Sequence, residues 1–178
     1  VQTNQSIEHD FRGFVNCVIP FSPEKVLLAV GKQLFFYNTS KRDLPQSIGI
    51  GPNNGCFYSL SALWDGLSKV AASFDRGLVA VFDLEKKRKI RTYAEHKNTV
   101  WQVAVIGANR LASCADDAMV KLYDVRKERS YKTLGLHVGR VAAILPLDEN
   151  ILISAACCKK PARSVEKGQF SFWDLRYV

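Results

Sequence analysis

Short apolar runs follow one another along this chain, most of them alternating apolar and polar positions, and scarcely any stretch has helical spacing. VWQVAVI at 100–106 alternates as a strand does, and GANR at 107–110 supplies a turn. LASCA at 111–115 and MVKLYD at 119–124 form a hairpin pattern around Asp116-Asp117, a pair suited to a turn because Asp tolerates unusual backbone angles. SYKTLG at 130–135 is weaker and more polar, as expected at the outer edge of a small sheet. Four strands in succession are predicted here. If the pattern stood alone, Asp116 and Asp117 would be a candidate catalytic pair.

It does not stand alone. FYSLSAL, KVAASF, LVAVFD and KIRTYA repeat the order upstream, VNCVIPF, KVLLAVG and QLFFYN come before those, and RVAAILP, ILISAA and QFSFWD follow. The third runs end in Tyr37-Asn38, Phe82-Asp83, Tyr123-Asp124 and Trp173-Asp174, spaced 41 to 50 residues apart. His96 and His137 precede a first run at the same offset, and His9 lies near the corresponding place. A period of roughly 40–45 residues with four strands per repeat marks propeller blades. The predicted fold is all-β, with about four blades of four antiparallel strands. Residues 1–10 form an outer strand and leading loop; blades follow at 11–52, 53–95, 96–136 and 137–178, the last incomplete.

Composition narrows the function classes. The chain has 178 residues, 47% of them hydrophobic, enough to bury a core. No apolar run approaches the roughly 20 residues of a membrane span. The first ten residues are polar and lack the apolar stretch of a secretory signal. Cys17, Cys56, Cys114, Cys157 and Cys158 are odd in number and form no C-x-x-C pair, which fits a reducing compartment, cytoplasmic or nuclear. The net charge of +8 favours acidic partners.

On these residues the chain resembles the WD-repeat β-propellers. FSPEKVLLAVG looks like that family's turn between first and second strands, YAEHKNTVWQVAV carries its histidine, and ADDAMVKLYDVR and QFSFWDLR carry its Trp-Asp position. The resemblance covers about the whole chain and is strongest in the third blade. It implies a hydrogen-bond network of His96, Ser113, Asp117 and Tyr123, which makes Asp117 structural. Arg76 stands where the second blade's turn aspartate belongs, and an insertion replaces the fourth blade's turn, so those networks are expected to be incomplete. Seven blades are usual in the family, so the chain is expected to be the last part of a larger propeller. Two copies joining into a ring is the alternative, which makes a homodimer a candidate.

Two of the three histidines are accounted for by the repeat, and no Gly-rich phosphate loop or metal spacing occurs. No catalytic, cofactor-binding or metal-binding residue is assigned, no cofactor is implied, and the chain is read as a non-enzyme. The turns after the third strands carry Lys41-Arg42, then Lys86, Lys87, Arg88 and Lys89, then Arg126, Lys127 and Arg129, then Arg176. Equivalent turns emerge on one face of a propeller, so that face should have a basic rim. Aromatics are not interleaved with these charges, which argues against sequence-specific nucleic-acid binding. KKRKIR at 86–91 also has the composition of a nuclear import signal. CCKKPARSVEKGQF inserts about ten residues into the fourth blade on the opposite face, making Lys159, Lys160 and Arg163 candidate recognition residues.

Tyr123-Asp124-Val125-Arg126 and Trp173-Asp174-Leu175-Arg176 repeat an aromatic-Asp-x-Arg motif. Consecutive copies resemble the box of WD-repeat substrate receptors that dock on the damaged-DNA-binding adaptor of cullin-RING ubiquitin ligases. That resemblance implies adaptor contacts by Arg126 and Arg176. Phe11-Arg12-Gly13 resembles the Phe-Arg-Arg-Gly signature of phosphoinositide-binding propellers, with one arginine missing. The reading adopted is a non-catalytic protein–protein interaction scaffold displaying loops on both faces. Its partners are acidic protein surfaces or peptides rather than a membrane. A ligase substrate receptor is the alternative, and a phosphoinositide-binding propeller the weaker one.

Overall fold

The computed structural model describes residues 10–41, 43–49, 55–63, 68–135, 137–158 and 167–178, with 158 and 167 as backbone only. Every regular element among them is a β-strand. The first sheet contains β1 (Val15–Ser22), β2 (Lys25–Val30), β3 (Gln33–Asn38) and the two-residue β4 (Gln46–Ser47). The second contains β5 (Phe57–Ala62), β6 (Lys69–Phe74), β7 (Leu78–Asp83) and β8 (Arg88–Ala94). The third contains β9 (Val100–Gly107), β10 (Arg110–Ala115), β11 (Val120–Asp124) and β12 (Ser130–Leu134). The fourth contains β13 (Arg140–Pro146), β14 (Ile151–Cys158) and β15 (Lys167–Asp174). Each is an antiparallel meander in chain order, so every sheet is one blade.

Alternation along the strands explains how the blades stack. Val70, Ala72 and Phe74 of β6 point toward the first blade and pack with Leu27, Ala29 and Leu34. Ala71, between them in sequence, points the other way and joins Val103, Val105 and Leu111 of the third blade. Ala112 and Cys114 of β10 in turn meet Val141, Ile144 and Leu152 of the fourth. Three apolar seams thus hold four blades, and burying each large aliphatic side chain contributes roughly 1.5–3 kcal/mol. The two central blades are covered on both faces, which is why β6, β7 and β10 are apolar at nearly every position.

The innermost strands β1, β5, β9 and β13 run side by side in that order. Polar side chains bind across each gap. Cys17 Sγ accepts the Leu60 N–H at 3.3 Å, Ser61 Oγ accepts the Val105 N–H at 3.1 Å, and Gln102 Oε1 accepts the Ile144 N–H at 2.8 Å. The outward faces of the first and fourth blades have no such cover among the described residues. On the fourth, Leu145, Ile153 and Phe172 form one cross-strand row and Ala143, Ala155 and Phe170 the next. Phe170 is 77% exposed and Phe172 58%.

The β10–β11 turn departs from expectation in one respect. Its left-handed residue is Ala118, at φ 64°, and not either aspartate. The Asp117 carboxylate accepts the Met119 N–H at 3.2 Å and the Lys97 N–H at 2.9 Å, which holds the side chain inward and passes the reversal to the next residue. In the second blade Arg76 and Gly77 take the positive angles, at φ 57° and 76°. Only glycine fits at 77, since an added Cβ would lie 1.9 Å from the His96 carbonyl oxygen.

Candidate functional site

The third blade's turn brings four side chains into one chain of contacts. His96 leads into β9, Ser113 lies on β10, Asp117 in the turn and Tyr123 on β11. His96 Nδ1 lies 2.9 Å and 3.0 Å from the two Asp117 carboxylate oxygens. An ionised carboxylate only accepts, so Nδ1 carries the proton. Ser113 Oγ stands 2.7 Å from Nε2 and 3.2 Å from the Tyr123 hydroxyl, bridging the two. Burial alone would raise the Asp117 pKa, but hydrogen bonds from His96, Lys97 and Met119 outweigh it and hold the carboxyl below its ordinary value. His96, Ser113 and Tyr123 are all buried, so the group ties the blade together and offers no open reactive atom.

The other blades vary this theme. In the fourth, His137 Nε2 lies 2.7 Å from Ser154 Oγ, which accepts the Trp173 indole N–H at 2.6 Å. Three of the four network positions are therefore joined despite the insertion. Gln169 accepts the Val138 N–H at 3.3 Å and partly opposes the burial that lowers the His137 pKa. Nδ1 closes no well-formed hydrogen bond among the described residues. In the second blade strand register puts Ala72, Arg76 and Phe82 at the places of Ser113, Asp117 and Tyr123. No polar chain can form there. Phe57 instead packs on Phe74 and Phe82, with centroids 4.8 Å and 6.1 Å apart.

A second polar cluster escaped the sequence reading. The Trp101 indole N–H donates to Asp116 at 2.6 Å, Tyr58 meets the ring edge-on, and the Arg140 guanidinium lies 5.5 Å from its centroid. Asp116 thus has its own buttressing role. A half-buried indole needs an acceptor, which was the available signal, but its partners come from three different blades.

The opposite face carries the basic turns. Asp124 accepts Arg126 Nε at 2.8 Å and Nη2 at 2.6 Å, and Asp174 holds Arg176 in the same two-pronged way at 2.8 Å and 2.5 Å. The Arg126 pairing pulls the Asp124 pKa down to about 2. Tyr93 of the second blade braces this turn, its hydroxyl donating toward the Asp124 and Lys127 carbonyls at 3.2 Å and 3.1 Å. Lys86 is capped through its N–H by Asp83 at 2.8 Å, and Lys87 sits at φ 48°, the apex of the β7–β8 turn that leads to Arg88 and Lys89. Lys159, Lys160 and Arg163 lie outside the described residues. Arg12 shares a shallow concavity with Lys32, Gln33 and Phe35. Burial pushes the Cys114 thiol up to about 12, which makes it a poor nucleophile.

Removing the imidazole tests the third blade's network. His96→Ala should lower the free energy of urea unfolding by about 1–3 kcal/mol, because buried partners lose their bonds. The folded Asp117 pKa lies below the unfolded one of about 3.9, so its contribution is complete above that pH and is lost as acid protonates the folded carboxylate. Stability of the unmodified chain should therefore fall below about pH 4, less steeply in Asp117→Asn. An unchanged urea midpoint in His96→Ala would remove His96 from the network.

No family model matches the chain, and no curated protein matches it. Among solved structures, one of U3-55K superposes with a TM-score of 0.73 at 18% identity, covering 84% of this chain and 47% of that one. The crystal structure of RRP9 WD40 repeats superposes with a TM-score of 0.71, at 18% identity and the same two coverages. The chain thus spans about half the length of the solved structures it matches. Four antiparallel sheets stacked blade against blade, with this superposition, give the chain the WD-repeat β-propeller fold.

Proposed function

We propose that the chain is a non-catalytic scaffold that binds acidic protein surfaces or peptides through the face bearing its basic turns. The observation that carries this reading is the set of consecutive basic turns, each at the same position in its blade, with the turns of the second, third and fourth blades anchored by Asp83, Asp124 and Asp174. A rigid propeller holds such turns at fixed spacing, so their charges act together on one partner. A reducing compartment, cytoplasm or nucleus, suits Cys17, Cys56, Cys114 and Cys157, which are all free thiols.

A ligase substrate receptor is the second reading. What favours it is that both aromatic-Asp-x-Arg turns hold their arginines alike, with side chains 70% and 59% exposed. A second copy of the chain is a further candidate partner, favoured by the exposed Phe170 and Phe172 on the outward face of the fourth blade.

Reversing Lys86, Lys87, Arg88 and Lys89 to Glu should weaken binding of poly-glutamate by about tenfold and flatten its salt dependence, with unfolding free energy changed by less than about 0.5 kcal/mol. Poly-glutamate bound equally well at low and high salt by the unmodified chain would reduce the rim to a solubility feature. For the receptor reading, Arg126→Ala with Arg176→Ala should abolish binding of the purified damaged-DNA-binding adaptor while unfolding moves by less than about 1 kcal/mol. An unmodified chain that ignores the adaptor ends that reading. Sedimentation velocity addresses self-association: a dimer that Phe170→Ser with Phe172→Ser dissolves supports the second copy, and a monomer at every concentration rejects it.

A further inference from the structure

Between the second and third blades, on the face of the basic turns, lies a cavity of about 190 Å³. Leu63, Val81 and Val125 line its apolar part, and Lys69, Arg91 and Arg126 supply its charge. No acidic side chain lines it among the described residues. Arg91 sits on β8 directly across from Val81, so its guanidinium rises from the apolar wall itself. Its Nε is buried and has no hydrogen-bond partner among the described residues. Among the described residues its Nη1 reaches only Glu128, at 3.9 Å, and that side chain is 89% exposed. Such a contact competes poorly with solvent and leaves the guanidinium short of an acceptor. The neighbouring Ile90 is 39% exposed, an apolar side chain at the same opening.

We propose that this groove docks a short acidic peptide carrying one aliphatic side chain. The aliphatic group enters the cavity over Leu63, Val81 and Val125, and flanking carboxylates accept from Arg91 and Arg126. Arg91 is the selective element, because a planar guanidinium takes a carboxylate through two parallel N–H donors, whereas a lysine offers a point charge. The recessed apolar wall favours a peptide over a flat anionic membrane. Among the described residues no aromatic side chain lines the groove to stack a base, which disfavours single-stranded nucleic acid. The proposal rests on the reading of the chain as a binder of acidic partners and narrows it from a charged rim to a shaped site.

The test uses the full chain and a fluorescent peptide of alternating Glu and Leu, read by anisotropy, with the Lys–Leu peptide and poly-glutamate beside it. The Glu–Leu peptide should bind, more tightly per carboxylate than poly-glutamate, and the Lys–Leu peptide should not. Arg91→Glu should weaken the Glu–Leu peptide at least about tenfold and Arg91→Lys by less, reflecting the lost second donor. Far-ultraviolet circular dichroism verifies that both variants are folded. The rim reversal at 86–89 should weaken poly-glutamate more than the Glu–Leu peptide, so a failed rim and a failed groove give different results. The proposal is overturned by a Glu–Leu peptide that the unmodified chain does not bind, or by full binding to folded Arg91→Glu. It is overturned equally by a preference for phosphatidylserine vesicles that Arg91→Glu removes, since that assigns the groove to a lipid surface.

Discussion

The rest of this structure depends on covering both faces of each central sheet. A four-stranded meander with apolar side chains on both faces is unstable alone, because both faces then meet water. Stacking resolves this. Val70 and Phe74 serve one seam while Ala71, a residue away, serves the next. The seams fix the order of the blades, and that order brings equivalent turns to a common face. The shared exposure of Lys86, Arg126 and Arg176 is therefore a result of apolar packing, although none of the three takes part in it.

Polar contacts refine what the seams establish. In the third blade His96, Asp117, Ser113 and Tyr123 are joined end to end, so each buried polar group has a neighbour that satisfies it. The second blade does without the whole set, with Ala72 and Phe82 replacing hydroxyls by apolar groups. That replacement is coherent: losing one member would leave the others unsatisfied, whereas losing all removes the demand. The fourth blade lies between, with Trp173 supplying an indole donor where the third has a phenol.

Much of the fold was legible because its information is local. Alternation within six or seven residues gives the strands, and the recurrence of an aromatic-Asp pair gives the blades. The third blade's network could be placed for the same reason, since each member holds a fixed offset from a strand end. The contacts that could not be read join different repeats. Trp101 meets Arg140 of the next blade, a pairing that alternation within a strand does not reveal, and Cys17, Ser61 and Gln102 look like ordinary strand residues until their acceptors face the next blade. The cavity beside Arg91 needs two blades to exist at all. The reversal at Ala118 was misplaced because Asp117 is held by backbone donors on both sides, one of them beyond its own hairpin.

The clamps on Arg126 and Arg176 separate two properties that a positive surface usually combines. Each guanidinium shares its charge with a carboxylate two residues earlier, so the pair is nearly neutral from afar and adds little to long-range attraction. The same clamp fixes a side chain that would otherwise sample many rotamers, so its conformational entropy is already lost before any partner arrives. Attraction at a distance then comes from the looser charges of the β7–β8 turn, and orientation at contact from the clamped arginines. A partner captured by the first must still match the geometry of the second.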